Sequence, residues 1–351
     1  MSLDTTPAHM SSHALRLLCT AAIAALTLAA CGTGDSAAEN GSNDDAEAAS
    51  ADDHGEGGTV TVEDDHGTHE IAAEEIESVG AFDNRTFRTL EDLGVELTVA
   101  PRALMREGVQ GYAEDEDILD TGNHREPDLE LIVAAEPDLV ITGQRYGDYY
   151  DEMVSLVPED SVILQFDEAL ATENFFSGLV EHTEALGTVF DAEDQAQELI
   201  DALADSMERV QTAYDGQSSV MGLVTSGGDI NYAGPQSGRG VSPVFQEFGL
   251  VPALEVEDES SDHEGDDISV EAIADSNPDW IIVLDRDGMN PEDPEYTSAQ
   301  ELIAESPALQ QVTAVEEDQI VYMPQHMYLT EDIQAYTEFL NDFADALESA
   351  Q

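Results

Sequence analysis

Arginine is scarce in this chain, and two of its copies recur in register. Arg145 closes "LELIVAAEPDLVITGQR" (129–145) and Arg286 closes "VEAIADSNPDWIIVLDR" (270–286), segments that align without a gap. The sequence holds ten arginines, no lysine and 78 acidic residues, so a guanidinium at the end of each copy has two readings. It makes surface ion pairs, which are worth little each, or it supplies positive charge to an anion held between the copies. The matched placement in both segments weighs toward the second reading. Arg239 lies in "YAGPQSGRGVSPVFQEFG", a Gly-rich loop opening a helix, where backbone N–H groups suit anions. The Gly-Lys-Ser/Thr ending of a P-loop is missing there.

Other candidate groups are less specific. His263 stands in the acidic loop "ESSDHEGDDIS", where a lone histidine is usually solvated. "YMPQHMYLTED" brings Tyr322, His326 and Tyr328 together after a strand. Tyrosines there usually pack, although a phenolate is also a hard donor suited to ferric iron. His54, His66 and His69 stand among aspartates and could hold zinc, without the spacing of a structural site. No Gly-x-Ser-x-Gly elbow, catalytic cysteine or His-Glu-x-x-His appears. Paired carboxylates occur everywhere in so acidic a chain, so glycosidase chemistry has no specific support. An extracellular enzyme would need a recognisable nucleophile or metal cluster, so it stands as the lesser alternative.

The elements that position these residues read as α/β. In the repeat Glu130 matches Glu271, Ile132 matches Ile273, Pro137 matches Pro278 and Asp138 matches Asp279. Each copy is a short helix stopped by a Pro-Asp turn, which disfavours α backbone at the preceding residue. A near-continuous apolar run follows, as expected of a parallel strand buried on both faces. The pattern predicts strands near 79–82, 95–99, 138–142 and 162–165 in the first half, with helices near 84–93, 128–135, 147–155 and 172–187. In the second half it predicts strands near 219–225, 229–233, 280–284 and 319–323, and helices near 242–248, 269–275, 298–304 and 330–348. "TVTVEDDHGTHEI" reads as two short strands around a His-Gly turn. Residues 191–214 carry one apolar stripe at 196, 199, 200, 203, 207 and 210, with Glu193 and Asp194 in the first turn, and form one long helix. Two α/β lobes with central sheets, 59–190 and 215–351, are thus joined by a rigid helix. Ligands of open α/β sheets sit beyond the carboxyl ends of strands, which puts Arg145 and Arg286 in a cleft between the lobes.

The net charge of -68 excludes nucleic acid, since no basic face exists to neutralise phosphates. Such self-repulsion opposes compaction at ordinary salt and is screened within roughly 3 Å at molar salt, so the composition reads as adaptation to high salt. Residues 1–30 read as a secretion signal ending in "LTLAAC", where Cys31 sits as in a lipobox and would be acylated. The acidic start "MSLDTTPAH" suggests that translation begins at Met10. Residues 31–58 form an acidic, small-residue tether.

With these features the chain resembles the substrate-binding lipoproteins of iron-siderophore and cobalamin ABC importers. The similarity runs from about residue 59 to 350. "FDNRTFRTLEDLGVEL", "EPDLELIVAAEPDLVITG", "YYDEM", "YAGPQSGRG", "WIIVLDR" and "YMPQHMYL" look most like the branch for ferric catecholate siderophores. The resemblance implies that Arg145, Arg239 and Arg286 hold an anionic ferric complex, and that His263 and Tyr328 complete iron coordination when the siderophore is tetradentate. It also implies that Glu130 and Glu271 dock to a permease, one from each lobe. Two arginines stand one residue later than the branch pattern, and the loop of His263 is longer and more acidic. The implied protein is a monomer without intrinsic cofactor, lipid-anchored on the outer face of the cell membrane, delivering a ferric siderophore to an ABC importer. Cobalamin, heme or a metal ion are the alternative ligands.

Overall fold

A computed structural model describes residues 58–105, 108–170 and 174–351. Cys31, the predicted signal and the tether up to residue 57 lie outside them. Among the described residues no helix is long and apolar enough to cross a membrane.

The local design of the repeat explains the lobes. Helices Glu130–Ala135 and Val270–Ser276 end at Glu136 and Asn277, both left-handed with φ of 45° and 47°. A left-handed residue closes the last helical turn, and the proline that follows cannot prolong it. The next residue then does the same work twice. One carboxylate oxygen of Asp138 accepts from the Ser78 N–H (2.9 Å), and one of Asp279 from the Ser219 N–H (2.7 Å). Each aspartate thereby ties the start of its own strand to the start of the adjacent one.

The strands so aligned are Leu139–Thr142 beside Val79–Ala81, and Trp280–Asp285 beside Ser219–Ser226. The first sheet is wholly parallel, in the order Leu119–Asp120, Val99–Ala100, Val79–Ala81, Leu139–Thr142, Val162–Gln165. The second runs Val251–Pro252, Ser219–Ser226, Trp280–Asp285, Ile320–Tyr322 in parallel, with Asp229–Tyr232 antiparallel to Ser219–Ser226. All six residues of Trp280–Asp285 are buried, as a strand covered on both faces requires. Strands Leu119–Asp120 and Val251–Pro252 were not legible in the sequence, because two-residue edge strands carry no period. The strand expected at 95–99 is confined to Val99–Ala100.

The linking helix is Glu193–Ala213, with Ala196, Ile200, Leu203, Ser206 and Val210 buried. Two further helices run across the lobe junction with it. Helix Phe175–Val189 packs Phe175 and Phe176 on Tyr336 of the second half, while Leu186 and Val189 join the core of the first. The C-terminal helix Ile333–Ser349 lies in the second core, yet its Gln334 donates to Asp92 of the first lobe (3.0 Å). Three packed helices therefore restrict how the lobes move.

The hairpin Thr59–Asp64 and Gly67–Ala72 is antiparallel, and its tip is tied to the first lobe by the Gln165 N–H donating to Asp64 (3.0 Å). His66 stacks on Tyr150 at 3.6 Å and His69 bonds Asp64 at 2.8 Å, so both rings have structural partners. His54 lies outside the described residues.

A side chain at Gly178 would place its Cβ 1.8 Å from the carbonyl oxygen of Ala169. Gly178→Ala should therefore cost on the order of 1–3 kcal/mol through forced backbone shifts, measured by chemical denaturation at constant high salt. An unchanged midpoint would disprove the contact. His182, on the same helix, is fully buried with Nε2 unpartnered. Burial lowers its pKa to about 4, Asp83 and Asp167 opposing and Arg85 assisting. Below its ordinary 6.5 the unfolded chain takes up a proton that the folded chain refuses, so stability falls from pH 6.5 toward 4. Relative to wild type, His182→Phe should gain about 3 kcal/mol between pH 7 and 4. A pH-independent difference between the two denaturation curves would contradict this account.

Candidate functional site

The two repeat arginines and Arg239 meet around one ring. The guanidinium carbons of Arg239, Arg145 and Arg286 lie 4.5, 5.4 and 5.5 Å from the centroid of Tyr328. Arg145 comes from the turn after strand Leu139–Thr142, and Arg286 directly follows strand Trp280–Asp285. Each leaves the carboxyl end of its strand. Arg239 is delivered by its loop because Gly238 has no Cβ; one built there would lie 2.5 Å from the Gly234 carbonyl oxygen. The electron-rich ring face attracts each cation by about 0.5–2 kcal/mol and offsets part of their mutual repulsion.

Tyr328 sits on the short helix Met327–Thr330. The helix expected at 330–348 starts only at Ile333, since Glu331 turns left-handed (φ 46°) and Asp332 caps the new helix through the Ala335 N–H (2.7 Å). That break is held by the first lobe. Asn84 donates to the Leu329 carbonyl (2.5 Å), and Arg88 donates to Asp332 (3.4 Å). Burial pushes the Asp332 carboxyl up to about 6, against the pull of Arg88.

The partners of the arginines differ sharply. Arg239 grips Glu331 with two bonds, Nε at 3.2 Å and a terminal nitrogen at 2.7 Å. Burial lowers its pKa, but Glu331, helped by Tyr328 and Tyr336, holds it above the ordinary value. Arg286 donates to Ser226 (2.9 Å) and Asp287 (3.2 Å) and lies 3.6 Å from Glu264. Arg145 makes no ion pair with a described carboxylate; it donates to the Tyr328 carbonyl (3.2 Å), and its Nε is buried without a partner. Burial lowers its pKa first, and Arg239 lowers it further. A cation so placed, in a chain this rich in carboxylates, is one whose natural partner is not part of the protein.

A cavity of about 390 Å³ opens against Arg145, Arg239, Arg85, Gln144 and Glu331, with Phe175, Pro243 and Tyr336 as apolar wall. That is small-molecule size. Arg286 approaches Tyr328 without lining the cavity. A larger hollow of about 720 Å³ lies by the hairpin, but its lining holds Glu74, Glu77, Glu96, Asp191 and Glu193 and no cation. An anion belongs in the first.

His263 is half exposed, its ring nitrogens 3.7 and 3.8 Å from Asp262 and Glu264. Its neighbour Ser261 lines the cavity, and His263 does not. A histidine that feels Arg145 and Arg239 is His124, whose pKa is lowered by burial and then by Arg145, Arg125 and Arg239. Glu130 and Glu271 are exposed in the first turns of the two equivalent helices. Arg85, Gln144, His124 and Glu331 join the site without an expectation from the sequence. Arg85, in "FDNRTF", was open to notice as one of few cations. Glu331 carried no signal among 78 acids.

Known proteins share this architecture. A family model described as periplasmic binding protein matches residues 79–327. The petrobactin-binding protein YclQ of Bacillus subtilis is 27% identical over 275 residues, 77% of this chain and 82% of YclQ. Its crystal structure superposes with a TM-score of 0.67 at 22% identity, covering 83% of this chain and 99% of that one. The ferric-anguibactin-binding protein FatB of Vibrio anguillarum is 28% identical over 210 residues, 59% of this chain and 63% of FatB. The siderophore-binding protein BauB, solved with two acinetobactin molecules and ferric iron, has a TM-score of 0.69 at 23% identity, over 82% of this chain and 98% of that one. The structural likenesses attest the two-lobed fold. With the family match spanning most of its length, the chain belongs to the periplasmic binding proteins, which bind substrates and do not turn them over.

Proposed function

We propose that this chain captures a ferric siderophore outside the cytoplasmic membrane and delivers it to an ABC importer. The observation that carries the reading is the partly buried Arg145 guanidinium, its Nε buried and unpartnered and no described carboxylate paired with it, set with Arg239 and Arg286 around Tyr328. Iron chelates of the catecholate type are anions, and guanidinium forks suit their oxygens. YclQ is named for petrobactin and FatB for ferric anguibactin, and BauB was solved with acinetobactin and ferric iron, which agrees with the site chemistry. Among the described residues no three His, Cys, Asp or Glu side chains gather into a metal site, which favours chelated iron over the bare ion.

In this reading the chelate lies between the lobes, with Arg145, Arg239 and Arg286 against its oxygens. Tyr328 and His263 serve as iron ligands where the chelator leaves positions open. Glu130 and Glu271 meet the permease, one from each lobe. Acylated Cys31 anchors the monomer to the outer face of the cell membrane through the acidic tether. The three crossing helices keep closure small.

Ferric catecholate complexes should quench the intrinsic tyrosine and tryptophan fluorescence of the protein at molar salt, saturating at one equivalent. Arg145→Gln should weaken that binding about 10- to 100-fold, the loss expected of a charge-assisted bond. The same variant should melt at or above the wild-type temperature without ligand, because it removes a partly buried charge that no described carboxylate neutralises and that Arg239 repels. A folded protein that binds no ferric siderophore would end this reading. A lowered melting temperature with unchanged affinity would make Arg145 structural.

A further inference from the structure

The cleft is less positive than its arginines suggest. Arg85, Arg145, Arg239 and Arg286 are four guanidiniums, but Arg85 pairs with Asp83 and Asp167, Arg239 with Glu331, and Arg286 with Asp287 and Glu264. Five carboxylates thus face four cations. Four of them can stay with their arginines while a ligand binds, because Asp83, Asp167, Glu264 and Asp287 do not line the cavity. Glu331 does line it, and it occupies the place a ligand oxygen would take.

Its geometry is that of a resident anion. Both oxygens receive Arg239, one also receives the Gln144 amide, and the residue is 8% exposed. Arg239 belongs to the second half of the chain and Gln144 to the first, so this single carboxylate bridges the lobes. Its charge also reaches Arg85 and Arg145 and favours their charged forms, although at Arg145 burial and Arg239 still hold the pKa below its ordinary value. Its left-handed backbone lies between the short Tyr328 helix and the capped C-terminal helix, which fixes the side chain over the cavity.

We infer that Glu331 sets the charge of the ferric complex this cleft accepts, favouring a monoanion over a trianion. The inference rests on the proposed function and narrows its ligand class. A ligand oxygen reaching Arg239 must displace the carboxylate or lie beside it, and repulsion from a carboxylate left in place rises in proportion to ligand charge. Molar salt screens exposed charges strongly but a buried one much less. Selection here comes from a repulsive element beside the attractive ones.

The test uses two ferric catecholamide complexes, a tetradentate bis-catecholate of net charge one minus and a hexadentate tris-catecholate of three minus. Wild type at molar salt should bind the monoanion at least about ten-fold tighter. Glu331→Gln should narrow that ratio at least about ten-fold by tightening the trianion, and Glu331→Asp, which keeps the charge, should leave it within about two-fold. A wild-type preference for the trianion overturns the inference and needs no variant. So does a Glu331→Gln protein that loses affinity for both complexes by one factor, the mark of a residue that merely props Arg239. Binding of neither complex by wild type would instead refute the siderophore reading itself.

Discussion

The structure turns on keeping a few guanidiniums together inside a chain dominated by carboxylates. Three of them surround the ring of Tyr328, and that arrangement draws on every level of the fold. Two come from strand ends that a duplicated motif places symmetrically; the third comes from a loop that only a glycine lets turn so tightly. The ring supplies a negative face without a formal charge, so it brings cations near one another without neutralising them. A carboxylate at position 328 would consume their charge. An aliphatic residue there would remove that attraction and leave only the nearby carboxylates to oppose their repulsion.

The junction between lobes is as much a part of the site as the arginines. The segment from Tyr328 to Gln334 belongs in sequence to the second half but is held by Asn84, Arg88 and Asp92 of the first. The break at Glu331 exists because those contacts stop one helix and Asp332 starts another. Ring, resident carboxylate and lobe contact are therefore one unit, and any ligand that engages Arg239 bears on how the lobes meet.

How far the sequence could be read depended on whether a feature was local. The Pro-Asp motif, the buried strands and the stripe of the linking helix were legible, since each follows from the spacing of neighbours along the chain. Arg145 and Arg286 stood out too, because cations are rare and the repeat pairs them, whereas Tyr328 was singled out only through the family resemblance. The pattern did not reveal that Phe175–Val189 and Ile333–Ser349 also cross the junction, for an amphipathic helix does not say which core it buries against. Nor did it show the break before Ile333, where no glycine or proline marks the left-handed turn.

The sequence by itself determined two duplicated α/β halves with an arginine closing each copy, because helix stops, strand burial and repeat register are written in residues close to one another. Which carboxylates oppose those arginines was decided only in three dimensions. Glu331 meets Arg239 across 92 residues and Gln144 across 187. One acid among 78 becomes a partner only when both sheets and the crossing helices have packed, since charge carries no pattern along the chain and acts through space.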